Sequence, residues 1–252
     1  MTTSPKWASS QEVTMAQATV PVASESRAIR STTTGAAPWR WAGGFGIAHI
    51  VVMLGAFALE GVASDSSTWA GTAKMFAGHS FNQTFYASYV EAMAFVLLVP
   101  ALAILARQLG RGNQAGRVAG QTAFGLGIAY VGATMAIGFP PLSTSVYAAQ
   151  HGADSNVVAS IDQLRNYGFI LQVALSMAFT IALSTAALAG RRFTRWGGYA
   201  GIVIGTVGMV VTPFAHNQMN MVQMIWWVGL CVLCLMGGPK DRPRQALADQ
   251  AI

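Results

Sequence analysis

The sequence has little charge and almost no cysteine. Of its 252 residues only 10% are charged, whereas soluble domains average about 25%. So few charges cannot cover a large water-facing surface, which argues against an ordinary soluble domain. The two cysteines, Cys231 and Cys234, form a C-x-x-C pair inside an apolar run. They provide no disulfide framework, and we expect them to be inert packing residues.

Motifs of the common enzyme classes are also missing. The sequence has no Walker loop, dinucleotide fingerprint, H-E-x-x-H or G-x-S-x-G. The formal net charge is +6, but the basic residues occur in small groups beside apolar runs. That distribution is typical of membrane topology rather than of nucleic-acid binding. We therefore expect no nucleic-acid partner, and no motif favours an enzymatic activity.

What the sequence does contain is six apolar runs. Each is long enough to cross ~30 Å of hydrocarbon as a helix. They cover residues 39–60, 85–105, 119–137, 167–189, 196–213 and 219–236. We predict an all-α integral membrane bundle of six transmembrane helices over residues 39–237. A disordered cytoplasmic tail at 1–38, starting at Met1 or Met15, precedes it, and a short basic tail at 238–252 follows.

The basic residues predict the orientation of these helices. Thirteen of the 15 lysines and arginines lie before run one, between runs two and three, between runs four and five, or after run six. Only Lys74 and Arg165 lie on the opposite side. Because basic residues accumulate in cytoplasmic connections, we predict that both termini are cytoplasmic.

The two connections on the outer side, residues 61–84 and 138–166, are expected to have different structures. Residues 61–84 carry Trp69, Met75 and Phe76 among small and polar residues, which predicts a short helix lying in the membrane interface. Residues 138–166 begin with Gly-Phe-Pro-Pro, and the prolines are expected to end the third run sharply.

Glu91 is the most unusual residue of the apolar runs. An acidic side chain at the centre of a membrane helix costs ~2.5–3.5 kcal/mol, so it is expected to face protein or a water-filled cavity. Six residues into its run, it lies about 9 Å deep. Tyr130, Gln172 and Gln223 reach about 6–10 Å on three other helices. Four helices therefore offer one polar side chain each at a similar depth.

Further polar residues lie above this layer, namely Glu60, His216, Asn217 and Asn220. The two sets together predict an outward-facing polar pocket that binds or transports a small solute, ion or lipid. The alternative is a set of interhelical hydrogen bonds, worth ~0.6 kcal/mol each on average. The protein would then be a non-catalytic structural or assembly subunit of a homo- or hetero-oligomeric complex.

The histidine and methionine residues suggest a third hypothesis, that the protein is a membrane redox protein that binds haem or copper. Its ligands would be His49 in the middle of run one together with His216, Met219 and Met221, because imidazole and thioether ligands suit copper(I). However, His49 and His216 are expected to lie about 18–20 Å apart along the membrane normal, too far to ligate one haem iron. We therefore predict no cofactor.

The organisation of the chain resembles that of small bacterial polytopic membrane proteins grouped as domains of unknown function. The features that carry this resemblance are GGFGIAH at 43–49, an aromatic outer segment before FYASYVEAMAFVLLVPALAIL at 85–105, and an inner turn that contains arginine. It covers roughly residues 39–237 and implies a multi-pass bundle, expected in the bacterial cytoplasmic membrane. It implies no activity, substrate or catalytic residue.

Overall fold

The computed structural model describes residues 35–60, 68–190, 195–215 and 217–238, without the side chains of 215, 217 and 218. All regular structure in these residues is helical, which confirms the predicted all-α class. The helices are α1 (Ala36–Glu60), α2 (Trp69–Ala77), α3 (Phe81–Leu109), α4 (Gln114–Ala133), a π-helical segment (Thr134–Gly138), α5 (Pro140–Gln150), α6 (Ser155–Ala189), α7 (Arg195–Ala215) and α8 (Asn217–Leu235).

Five helical stretches in the described residues are long and apolar enough to cross a membrane: Ala36–Glu60, Phe81–Leu109, Gln114–Gln150, Ser155–Ala189 and Arg195–Phe214. The architecture is therefore that of a multi-pass helical membrane protein. The sixth predicted run corresponds to α8, whose apolar part, Met219–Leu235, is shorter. Most of the predicted tails, residues 1–34 and 239–252, lies outside the described residues.

Two helix boundaries differ from the sequence prediction. Helix α6 begins at Ser155, twelve residues before the predicted run, because the Asp154 side chain caps it by accepting a hydrogen bond from the Asn156 N–H (2.7 Å). At the third run, the prediction that the two prolines end the helix sharply is wrong: the helical stretch runs from Gln114 to Gln150, and Phe139, before the prolines, keeps helical backbone angles. The π segment ends at Gly138, and α5 begins at Pro140, where a missing N–H and a fixed φ suit a first helical turn.

Helix α6 is the centre of the bundle and contacts α2, α3, α4, α5, α7 and α8. Helix α1 lies to one side, packed on α3 and α8. The α1–α8 contact depends on two glycines. A Cβ at Gly43 would come within 2.6 Å of the Cys231 carbonyl oxygen, and one at Gly46 would collide with the Cys231 sulfur. The buried cysteines thus act as small packing residues against α1.

The two ends of the bundle have different chemistry. We call one the basic end, because the α3–α4 turn, which Arg107, Arg111 and Arg117 occupy or flank, lies there against Gly190 at the end of α6, five residues before α7 begins at Arg195. The opposite, capped end is covered by α2, α5 and the first turns of α6. Their second hydrophobic core is formed by Phe76, Leu142, Val146 and Val158. The short helix predicted around Trp69 is confirmed as α2.

Candidate functional site

Glu91 lies on the buried side of α3, with 9% of its surface exposed. Helix α3 starts at Phe81 rather than at the predicted residue 85, so Glu91 is ten residues, about 15 Å, from the helix start. Its carboxylate accepts no hydrogen bond from any residue that the structure describes. A buried carboxylate without donors is unusual, because burying a charge is costly unless it is paired.

The electrostatic neighbours of Glu91 come from two other helices. Glu60, the half-buried last residue of α1, and Arg165 in α6 both lie within electrostatic range of the Glu91 carboxylate. Arg165 also bridges to Asp162 one turn earlier, with Nε 3.2 Å from Oδ1. Three carboxylates therefore share one guanidinium. This excess of negative charge in a largely buried region attracts a proton or a cation.

Aromatic side chains surround Phe95, one turn beyond Glu91. The Phe95 ring packs edge-on against Tyr130 at a centroid distance of 5.5 Å and lies 5.7 Å from Phe139. Tyr130 is itself within electrostatic range of Glu91. We define the Glu91 cluster as Glu60, Glu91, Tyr130, Asp162 and Arg165. Two of the four residues of the predicted polar layer, Glu91 and Tyr130, thus lie together.

Gln172 lies against the π segment. It is buried, and its Nε2 has no hydrogen-bond partner among the described residues. A Cβ added at Gly138 would lie 2.8 Å from that nitrogen, so glycine is needed for the amide to fit. Where α4 changes to π geometry, the Thr134 hydroxyl donates to the Tyr130 carbonyl (2.8 Å). π turns of this kind are frequent at functional sites.

Gln223 has a different role. Its Nε2 donates to the Ser176 carbonyl and the Thr180 hydroxyl, both at 2.9 Å, and its Oε1 accepts from the Ser176 hydroxyl at 2.7 Å. Both amide hydrogens are therefore used in holding α8 to α6. For Gln223 the structure shows the interhelical hydrogen bonds that we gave as the alternative to a pocket.

The metal and haem candidates are spread apart. His49 is buried, with Nδ1 2.8 Å from the Ala94 carbonyl oxygen and its ring edge-on to Phe95 at 4.9 Å. It therefore lies beside the backbone of α3 at Ala94, three positions and about 4.5 Å of helix after Glu91. The described residues contain no group of three or more His, Cys, Asp or Glu side chains that could hold a metal ion.

The remaining predicted residues lie near the start of α8. Asn220 and Met219 are partly buried, and Met221 is exposed. His216 lies outside the described residues, as does the side chain of Asn217. Their assignment to a pocket or a metal site stays a prediction.

A cleft of about 430 Å³ opens between α3, the π segment and α5, and its lining includes none of the five residues of the Glu91 cluster. We call it the aromatic cleft, because its lining includes Phe81, Phe85, Tyr89, Phe139 and Tyr147. The hydroxyls of Ser88 and Ser143 also line it and are hydrogen-bonded to each other at 3.3 Å. Ala92 lines the cleft. Glu91, the preceding residue, is rotated from Ala92 by about 100° around the axis of α3.

Sequence reasoning missed Arg165, Asp162 and the aromatic cleft. Arg165 was assigned to a connection, although it lies seven residues before Gln172 and hence on the same face of one helix. The signal was present in the i, i+3 spacing of Asp162 and Arg165, which suits an ion pair on a helix.

Comparison with protein-family models, with curated proteins and with solved structures finds no match for this chain. The resemblance to bacterial domains of unknown function therefore stays a prediction, and the geometry of the site carries the functional proposal.

Proposed function

We propose that this protein binds a small cationic solute at the capped end of a membrane bundle and transports it, with Glu91 as the charged contact. The observation that carries the proposal is the buried Glu91 carboxylate, which has no hydrogen-bond donor among the described residues. Acidic residues within membrane helices mark substrate and ion pathways by default.

The surroundings of Glu91 favour a positive charge. Glu60, Glu91 and Asp162 have one guanidinium, that of Arg165, within their cluster. The aromatic cleft is lined by phenyl and phenol rings, and the faces of such rings attract cations by ~0.5–2 kcal/mol each. Its volume of about 430 Å³ is within the ~300–1,000 Å³ of small-molecule sites. In this proposal the solute enters by the cleft and passes around α3 from Ala92 to the carboxylate of the neighbouring residue, Glu91.

A chemical probe tests this proposal on the full chain in lipid nanodiscs. Dicyclohexylcarbodiimide is apolar and modifies buried carboxylic acids, and peptide mapping by mass spectrometry locates the product. We expect labelling at Glu91 and protection by choline, but not by 3,3-dimethyl-1-butanol, its neutral isostere. Glu91→Gln should abolish that label and lower choline uptake into proteoliposomes to the level of empty vesicles.

Two outcomes would contradict the proposal. Equal protection by choline and by its neutral isostere would mean that the site does not select charge. Unchanged choline uptake by the Glu91→Gln variant would mean that the carboxylate is not the charged contact. A matched control is Glu60→Gln, which removes the half-buried acid of the same cluster and should weaken protection without abolishing it.

The proposal includes a topology of six spans in the bacterial cytoplasmic membrane, with both termini cytoplasmic. It is supported by the thirteen basic residues on one side and by α8 as a sixth apolar helix. Reporter fusions at residues 112, 193 and 245 should all report the cytoplasm. A fusion at 245 that is active outside would exclude this topology.

A further inference from the structure

A second cavity, of about 490 Å³, lies between α6, α7 and α8 near the basic end. We call it the glycine cavity, because small residues leave its space open. A Cβ added at Gly229 would meet nothing within 4 Å, and Gly197 and Gly198 at the start of α7 add no side chain. Leucine side chains and Trp226 form the walls. An apolar space of this size inside a membrane bundle will be filled by an apolar chain rather than by water.

The depth of the cavity suits an acyl chain. The Trp226 indole forms its wall beside the start of α7, with Nε1 3.5 Å from the carbonyl oxygen of Gly197, the third residue of that helix. Trp226 is also the lining residue furthest from a helix end, nine residues before the end of α8. Nine residues span about 13.5 Å of helix, and one leaflet of a bilayer contributes about half of a ~30 Å hydrocarbon core. A chain that enters at the basic end would therefore stay within one leaflet.

The wall of this cavity is apolar apart from Ser184. Ser184 lines the cavity but is 1% exposed, and its hydroxyl has no partner among the described residues. A Cβ added at Gly201 of α7 would collide with that hydroxyl oxygen, so the hydroxyl is enclosed between α6 and α7. The surface offered to an occupant of the cavity is therefore apolar.

The mouth of the cavity is positively charged. Arg195 is exposed and lies two residues before Gly197, and Arg111 follows the lining residue Leu109 by two positions. The acidic residues of the described chain are Glu60, Glu91, Asp154 and Asp162, and none of them lies at the basic end. Trp196, which is 85% exposed, stands beside Arg195, where an indole ring suits the lipid headgroup level. This mouth favours an anionic phosphate.

We propose that the glycine cavity is a binding site for an anionic phospholipid, with one acyl chain between α6, α7 and α8 and its phosphate at Arg195. The site is independent of the Glu91 cluster and of the direction in which the bundle is inserted. A zwitterionic lipid would fill the same space but would lack the excess negative charge that Arg195 selects.

Trp226 provides a direct readout, because bromine atoms on an acyl chain quench indole fluorescence on contact. The full chain is reconstituted with increasing fractions of brominated phosphatidylglycerol or brominated phosphatidylcholine. The difference between the wild type and Trp226→Phe isolates the Trp226 signal. We expect half-quenching of Trp226 at a several-fold lower fraction of phosphatidylglycerol than of phosphatidylcholine.

Two variants test separately what the cavity and the positive charge of Arg195 contribute to lipid binding. Gly229→Leu puts a larger side chain into the cavity and should remove most of the Trp226 quenching. Gly125→Leu on α4 is the control and should leave it unchanged, and an added Cβ meets nothing within 4 Å at either position. Arg195→Gln should keep the quenching but lose the preference for phosphatidylglycerol.

Equal quenching by both lipids, or full quenching in Gly229→Leu, would overturn the proposal and indicate ordinary annular lipid. If Gly229→Leu does not fold, the comparison of the two lipids in the wild type and in Arg195→Gln still tests the proposal.

Discussion

The basic end and the capped end of the bundle hold their helices together in different ways. At the basic end the backbones approach closely through glycine. A Cβ at Gly43 would meet the Cys231 carbonyl oxygen at 2.6 Å, and one at Gly190 would meet the Leu109 carbonyl oxygen at 2.5 Å. Small residues at helix interfaces are typical of membrane bundles, where dispersion replaces the hydrophobic effect between helices.

The capped end has polar and aromatic contacts in addition. Gln83 Nε2 donates to the Leu59 carbonyl at 2.8 Å, and the buried Glu91 carboxylate lies among rings and other charges. Close glycine contacts continue here, because a Cβ at Gly168 would collide with the Ile137 side chain. The two ends therefore differ in their buried charges rather than in the tightness of their packing. We expect the glycine contacts to stabilise the bundle and the buried Glu91 to lower its stability. Three pairs of substitutions can break or sharpen this difference.

The largest effect is expected at Glu91. Replacing it with leucine removes a desolvation cost of up to ~2.5–3.5 kcal/mol, so Glu91→Leu should raise the thermal stability of the protein in detergent. The same variant should fail to rescue the phenotype of a deletion strain. Glu91→Gln, which keeps the shape and a polar tip, should fold normally and also fail to rescue. A clearly less stable Glu91→Leu with full rescue would mean that the carboxylate is only a contact between helices.

Gly43→Leu should have the next largest effect, in the opposite direction. Its side chain would meet the backbone of α8 at Cys231 and Leu235, which cannot move aside as a flexible side chain would. Overpacking of this kind typically costs ~1–3 kcal/mol. The matched control is Gly44→Leu, because a Cβ there meets nothing within 4 Å. Equal unfolding midpoints for the two variants would show that the close α1–α8 contact does not contribute to stability.

The smallest change in stability is expected when the two glutamines of the predicted polar layer are replaced with leucine. Gln223→Leu removes three hydrogen bonds between α6 and α8, and losses for such interhelical bonds average ~0.6 and reach ~1.7 kcal/mol. Gln172→Leu removes a buried donor that has no partner among the described residues, so stability should stay the same or rise. Chemical unfolding should therefore show a loss of stability for Gln223→Leu and no loss for Gln172→Leu. A loss of stability in both would mean that Gln172 is also bonded.

The helices themselves could be predicted from the sequence, because the signal for a membrane helix is local. Runs of apolar residues as long as a bilayer is thick predict spanning helices whatever their neighbours are. The runs starting at residues 196 and 219 match α7 and α8 to within about two residues. The start of α6 was missed by twelve residues because its first turns are polar and cover the capped end. Hydropathy cannot distinguish such a helix from a loop.

The composition and order of residues determined by themselves that this chain is helical, apolar and strongly asymmetric in charge. Only the tertiary structure decided which polar residues meet. Each residue adds a fixed rise along a helix, so counting residues placed Glu91, Gln172 and Gln223 at similar depths. The count does not say towards which side each helix turns its polar residue, or which helix packs against that side. Packing directs Gln223 to Ser176 and Thr180 of α6, and it brings Arg165 within electrostatic range of Glu91. Side-chain pairing across helices depends on the way glycines and large residues fit together along the whole interface, and that fit exists only once the bundle has formed.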